Sequence, residues 1–343
     1  MIILNKAIRI IDYEKEAVYS RSVPDSFNEY IDELILHIEN NESVRQFKTT
    51  SCDTEVINCI LQIAKNKDDN DIFLGKVEVI SRRLLQKEIN AQKKVSKMDT
   101  NVQKGSLIQA LLYDEENESF SYLLAKVEHS DFVDDADLSF KSGFSKNKKT
   151  YWKSCLFSLK ELNEGTYYSK VYSNTVAKYW SVDFLELEET INDENNTLGA
   201  FTYIDKILNY NLKKQYPKDH TVIRNSVILY FKNNEHIDYN ELVDSIFGKY
   251  NPVEVDMDKF NDIISKLKKV PGNKKFDFQF ISVPSVINAK IKKVYEVNEG
   301  IQLKIIDGIE KLEEKIKTIR ETDGKQYLII ETNNEDLFNR FKN

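Results

Sequence analysis
Three cysteines, four histidines, five prolines and ten glycines are all that 343 residues contain of these types, and each scarcity removes a class of explanation. Cys52, Cys59 and Cys155 are too few for a disulfide framework and lack the close Cys-x-x-Cys spacing of a zinc site, so they read as small core residues. His37, His129, His220 and His236 are scattered singly with no His-x-x-x-His pair, the pattern of surface or capping residues. With so few glycines there is no Gly-x-x-x-x-Gly-Lys-Ser/Thr loop, no Gly-x-Gly-x-x-Gly turn and no Gly-x-Ser-x-Gly elbow. Nucleotide-driven chemistry, dinucleotide binding and a serine nucleophile are therefore not indicated, and no cofactor or catalytic residue is expected. No apolar run reaches the roughly 18 residues of a membrane span. Met1–Arg9 meets charge too early for a secretory leader, so a cytoplasmic protein without a membrane partner is expected.

What is there is an ordinary core-forming composition, 41% hydrophobic, in a chain long enough for two or three lobes. The net charge of −7 argues against a surface that attracts phosphate everywhere, so the distribution of charge decides. Between Lys76 and Lys97 stand Lys76, Arg82, Arg83, Lys87, Lys93, Lys94 and Lys97, against only Glu78 and Glu88. Val77, Ile80, Leu84 and Ala91 recur there at helical spacing, which predicts a helix seated on one face with its cations outward. A second cluster, Lys266, Lys268, Lys269, Lys274 and Lys275, surrounds Pro271-Gly272 and predicts a basic turn. Either cluster is also what an ordinary solvated surface shows. Acidic stretches at Asp114–Glu118, Asp131–Asp137 and Asp183–Glu194 offset them, and the last would repel DNA.

The expected class is α+β. Residues 1–165 read as a lobe with a mixed or antiparallel sheet and helices: a hairpin of Ile2–Ile11 with Ala17–Arg21, a helix to Asn40 capped by Asp25 or Ser26, and a helix capped by Asp53 to about Lys65. The basic helix follows, then a hairpin of Ser106–Tyr113 with Ser119–Val127 and a strand at Ser154–Leu159. From 166 to 250 the periodicity is helical, and 251–343 reads as a smaller α+β lobe. In that lobe a helix over Met257–Leu267 precedes strands at Lys275–Val283, Ile291–Glu296, Ile301–Ile305 and Tyr327–Glu331, with Ile309–Thr318 a short helix or ribbon.

One order of blocks resembles a known family. Lys146, Lys148, Lys149 and Lys153 lead into the strand-like Ser154–Leu159. Then come Tyr167-Tyr168-Ser169-Lys170-Val171-Tyr172 and the aromatic run Val176–Leu185. This block is similar to the centre of the bacterial nucleoid-associated protein family NdpA/YejK. Lys104–Leu107 with Tyr122–Val127, the helical pair within Asp219–Gly248, and Lys325–Glu331 followed by Asp336–Phe341 are similar to its hairpin, later helices and closing elements. The resemblance covers most of the chain at low identity and carries packing patterns, with no catalytic fingerprint. Where the family has a glycine- and arginine-rich stretch before the aromatic helix, this chain has Val171-Tyr172-Ser173-Asn174-Thr175.

The resemblance implies a non-enzymatic protein of the nucleoid that binds double-stranded DNA with little base readout. Arg82, Arg83, Lys87, Lys93, Lys94 and Lys97, with Lys268, Lys269, Lys274 and Lys275, are the candidate phosphate contacts. An acidic chain binds DNA more readily as a homodimer that aligns two basic helices. Tyr179 and Trp180 are candidates for the dimer surface, their other reading being monomer core. A second reading is a protein-interaction subunit of a bacterial anti-phage defence assembly. A third is a metal-dependent nuclease, with Asp277 on one strand and Gln302 and Lys304 on another.

Overall fold
The computed structural model describes residues 1–95, 105–133, 135, 137–144, 152–160, 162, 165–173, 179–271 and 276–342. Contacts divide the chain into two compact units, Met1–Ile191 and Asn192–Asn343. Antiparallel sheets with helices in both make the fold α+β.

The first unit is built on one large sheet. Its strands are β1 (Ile2–Asp12), β2 (Ala17–Arg21), β3 (Arg45–Thr49), β4 (Gly105–Asp114), β5 (Ser119–Val133), β6 (Phe140–Phe144), β7 (Trp152–Leu159), β8 (Tyr168–Ser173) and β9 (Leu187–Glu189). They run in the order β2-β1-β4-β5-β7-β8-β3-β9, with β6 paired to β5, and every described pair is antiparallel. Alternation along the central strands sends Leu107, Leu111, Tyr122 and Leu124 to one face and Ile108, Ala110, Leu123 and Ala125 to the other. Helices α2 (Glu55–Lys65) and α3 (Asn70–Val95) cover the first face, and α1 (Asn28–Asn40) covers the second with Ile31, Leu34, Ile35 and Ile38.

The expected hairpins, the strand at Ser154–Leu159 and the basic helix are present. Several details differ. A 3-10 turn at Asp25–Phe27 leads into α1 after Pro24, without a side-chain cap, and Thr54 rather than Asp53 precedes α2. Tyr168–Ser173, read as the start of a helical section, is a strand of the sheet, because Ser169 and Val171 alternate inward between β7 and β3. β3 has no apolar alternation to announce it: its inward positions are Arg45, Phe47 and Thr49, and Arg45 is buried against Glu189 at 3.2 Å.

The second unit packs α4 (Asp193–Asn211), α5 (Pro217–Asn233), α6 (Tyr239–Ile246) and α7 (Met257–Lys268) around Phe201, Phe231, Tyr239, Phe260 and Phe280. Asn192, Asp238 and Asp256 cap α4, α6 and α7 by accepting backbone N–H bonds. β10 (His236–Asp238) pairs with β11 (Gln279–Ile281), which is the part of the expected Lys275–Val283 strand that forms among the described residues. Asp219 fixes the loop before α7: its buried carboxylate accepts from the backbone N–H groups of Val253, Glu254 and Val255 and from the Tyr250 hydroxyl. Burial pushes the Asp219 carboxyl up, but these four hydrogen bonds outweigh it and hold it below its ordinary value. A short α8 (Asn288–Ile291) precedes two hairpins, β12 (Lys293–Asn298) with β13 (Ile301–Ile305) and β14 (Ile316–Arg320) with β15 (Gln326–Ile330). α9 (Leu312–Lys315) lies between the hairpins, and α10 (Glu335–Arg340) follows them.

Candidate nucleic-acid interface
α3 carries the richest charge chemistry in the first unit. Phe73, Val77, Ile80, Leu84, Leu85 and Ile89 are buried in the core beneath it, each worth about 1.5–3 kcal/mol when fully removed from water. A polar inset fixes its register on β4: Gln109 Nε2 donates to the Val77 carbonyl at 3.0 Å and to Ser81 Oγ at 2.9 Å, and Tyr122 donates to Gln109 Oε1 at 3.0 Å.

With that face inward, Arg82, Gln86, Asn90 and Lys93 are exposed along the outer side, at i, i+4, i+8 and i+11. The stripe runs roughly 16 Å at 1.5 Å per residue and consists wholly of side chains that donate hydrogen bonds. Gln86 and Asn90 were not candidates from composition, since a search for cations passes over amides. Arg82 is 73% exposed and shares Glu78 at 2.8 Å, a carboxylate that also meets Arg9 at 3.4 Å. Lys87 is half-buried at the margin of the stripe.

Arg83 does something else. Its guanidinium, only 14% exposed, pairs with Glu55 at 2.7 Å and Glu186 at 3.0 Å, and donates to the carbonyls of Asp183 and Phe184 at 2.9 Å each. It joins α3 to the turn Tyr179–Phe184 and is not presented to a ligand. That turn buries Trp180 and Phe184, whose rings lie 5.0 Å apart in the core, so Trp180 is core and not a dimer surface.

The inner side of α3 also carries charge. Glu88, fully buried, faces the equally buried Lys126 of β5 at 2.5 Å. Beside them Lys153 of β7 reaches Glu128 at 3.5 Å and lies 5.8 Å from the centre of the Tyr179 ring. Burial pushes the Glu88 carboxyl up against the pull of Lys126, and burial with the neighbouring Lys126 charge brings the Lys153 ammonium down. Burial likewise raises the Tyr179 phenol.

The second lysine cluster does not assemble as bare positive charge. Lys268 pairs with Asp244 at 2.7 Å and Lys266 with Asp262 at 2.5 Å, while Lys269 is exposed at the end of α7. Lys97, Lys274 and Lys275 lie outside the described residues, as does the side chain of Lys94. The nuclease set is not brought together in one sheet. Asp277 accepts from Asn196 Nδ2 at 3.0 Å just before β11, whereas Gln302 and Lys304 sit on β13, whose sheet partner is β12, and Gln302 donates to Glu296. Among the described residues no group of three or more His, Cys, Asp or Glu is placed to hold a metal ion. Three histidines have side-chain partners rather than open water: His37 with Asn41, His129 with Ser106 and His220 with Asn209. Among the described residues no helix is long and apolar enough to cross a membrane. In comparison with known proteins, the chain matches no family model, no curated protein and no solved structure.

Proposed function
We propose that this chain is a non-enzymatic nucleic-acid-associated protein of the NdpA/YejK kind, contacting duplex DNA phosphates with little base readout. The observation that carries the reading is the exposed stripe Arg82–Gln86–Asn90–Lys93, a row of donors on a helix whose opposite face is locked into the core. Phosphate oxygens accept such bonds without regard to sequence, and each cation that meets one releases condensed counterions. Because Glu78 already holds Arg82, the affinity is modest, and a phosphate must compete with that carboxylate.

The test is a titration of fluorescent duplex DNA at several salt concentrations, with and without magnesium. Binding weakens linearly in log salt, Arg82→Ala reduces the slope by about one, and Glu78→Gln tightens binding. Arg83→Ala leaves the slope unchanged and lowers stability instead, since its partners are protein groups. No binding at low salt, or equal slopes for wild type and Arg82→Ala, overturns the reading. Magnesium-dependent cleavage would replace it with the nuclease.

A second reading, a subunit that docks onto protein, is favoured by apolar exposure in the second unit. Twelve of the twenty-eight large hydrophobic side chains exposed among the described residues lie between Val294 and Phe341.

A further inference from the structure
Between Lys292 and Lys342 no residue is buried. The two hairpins pair only within themselves, and a two-stranded ribbon without a covered face is marginal in water. Yet the segment is fastened to the helical core. Asn225 of α5 exchanges two 2.8 Å hydrogen bonds with the backbone of Ile309, Lys232 pairs with Asp307, and Gly308 lies so close that a Cβ would come within 2.9 Å of Leu229. Apolar surface is thus presented on an anchored frame.

That surface has two complementary shapes. Pro217 and Val222 of α5, with Tyr295, Leu303, Ile316 and Leu328 of the hairpins, line an apolar groove of about 850 Å³. No described residue beyond Leu328 enters it. The other shape is α10, a convex helix whose Leu337 and Phe338, followed by Phe341, are 46%, 53% and 79% exposed. The charges match as well: Lys218 and Lys317 at the groove suit Glu335 and Asp336 of the helix, and Glu296 and Glu313 suit Arg340.

We infer that this face is the interface between two copies of the chain, each seating its α10 and Phe341 in the groove of the other. A two-fold contact requires each copy to carry both halves of the fit, and each chain carries both the groove and the exposed helix. Strand alternation turns Val294, Ile319, Tyr327 and Ile329 away from the groove, and the other eight large side chains, about half exposed, amount to roughly 700 Å² per copy, close to the ~800 Å² per partner of a stable interface. The inference does not rest on DNA binding, which concerns the other unit.

The test uses the full chain without DNA. In sedimentation velocity over a range of concentrations the wild type runs as a dimer. Phe338→Ser/Phe341→Ser weakens association by about tenfold or more, as loss of central aromatic anchors does. Circular dichroism of that variant is unchanged, because neither ring contributes to a core. Val222→Cys and Phe338→Cys chains carrying different tags, mixed and oxidised, cross-link between tags. A wild type that is monomeric throughout, a dimer that the double substitution leaves intact, or tags that fail to cross-link would each overturn the inference.

Discussion
The sheet of the first unit hides charge, whereas the hairpins of the second display hydrocarbon. Glu88, Lys126, Glu128 and Lys153 lie inside, and Val294, Ile301, Ile319 and Phe341 lie outside. The two departures from ordinary partitioning have different remedies. Each buried charge has an opposite charge from another element of the same unit, so the cost of leaving water is offset within one chain. The apolar residues of the hairpins have no such cover, and only a second surface removes them from water.

Breaking the first arrangement has the largest effect. Lys126→Met leaves Glu88 buried without its cation and costs about 3–5 kcal/mol in urea unfolding, while Lys126→Met/Glu88→Leu recovers most of the loss. Equal stability of the two variants would mean that the pair is hydrated and not dry. Next comes Asp219→Ala, which strands three backbone N–H groups and costs roughly 3 kcal/mol. The sign of its pH dependence follows from the depressed carboxyl: the unfolded chain takes the proton first. Asp219's contribution is therefore whole above the ordinary carboxylate value and fades as pH falls through the lowered one.

His220 acts in a higher window. Burial, with Lys293 and Arg224 nearby, lowers its imidazole from 6.5 to about 4. Between those values the unfolded chain binds the proton and the folded one does not, so stability declines as pH drops through that range. His220→Gln should flatten unfolding curves recorded from pH 7 to pH 4; an unchanged decline would assign it to other groups. The smallest effect on stability belongs to the hairpin region. Phe338→Ser/Phe341→Ser changes the unfolding free energy of the protomer by no more than about 0.5 kcal/mol while changing its association, which separates a displayed surface from a buried one.

Much of the fold was legible in the residues themselves. Apolar runs on either side of polar turns located β1, β4 and β5, recurring bulky apolar side chains located β7, and period-3.6 spacing of Val77, Ile80 and Leu84 located α3 and its buried face. β3 and β8 escaped because the large sheet lets Arg45, Thr49 and Ser169 occupy inward positions, so no run of apolar side chains marks them. The candidate interface was legible only in outline. Arg82 and Lys93 lie on the outer stripe, Gln86 and Asn90 were invisible to a count of charges, and Arg83, adjacent in sequence to Arg82, faces Glu55 and Glu186.

The sequence by itself determined where apolar periodicity ran, where cations concentrated, and that phosphate-binding loops and paired metal ligands were missing, because these depend on residues close in the chain. Tertiary structure alone decided which charges went inside. Glu88 meets Lys126, and Arg83 meets Glu186, across intervals that no local pattern spans. It also decided that Trp180 is covered while Phe341 is not, since burial depends on which elements pack above a side chain and not on the side chain's own chemistry.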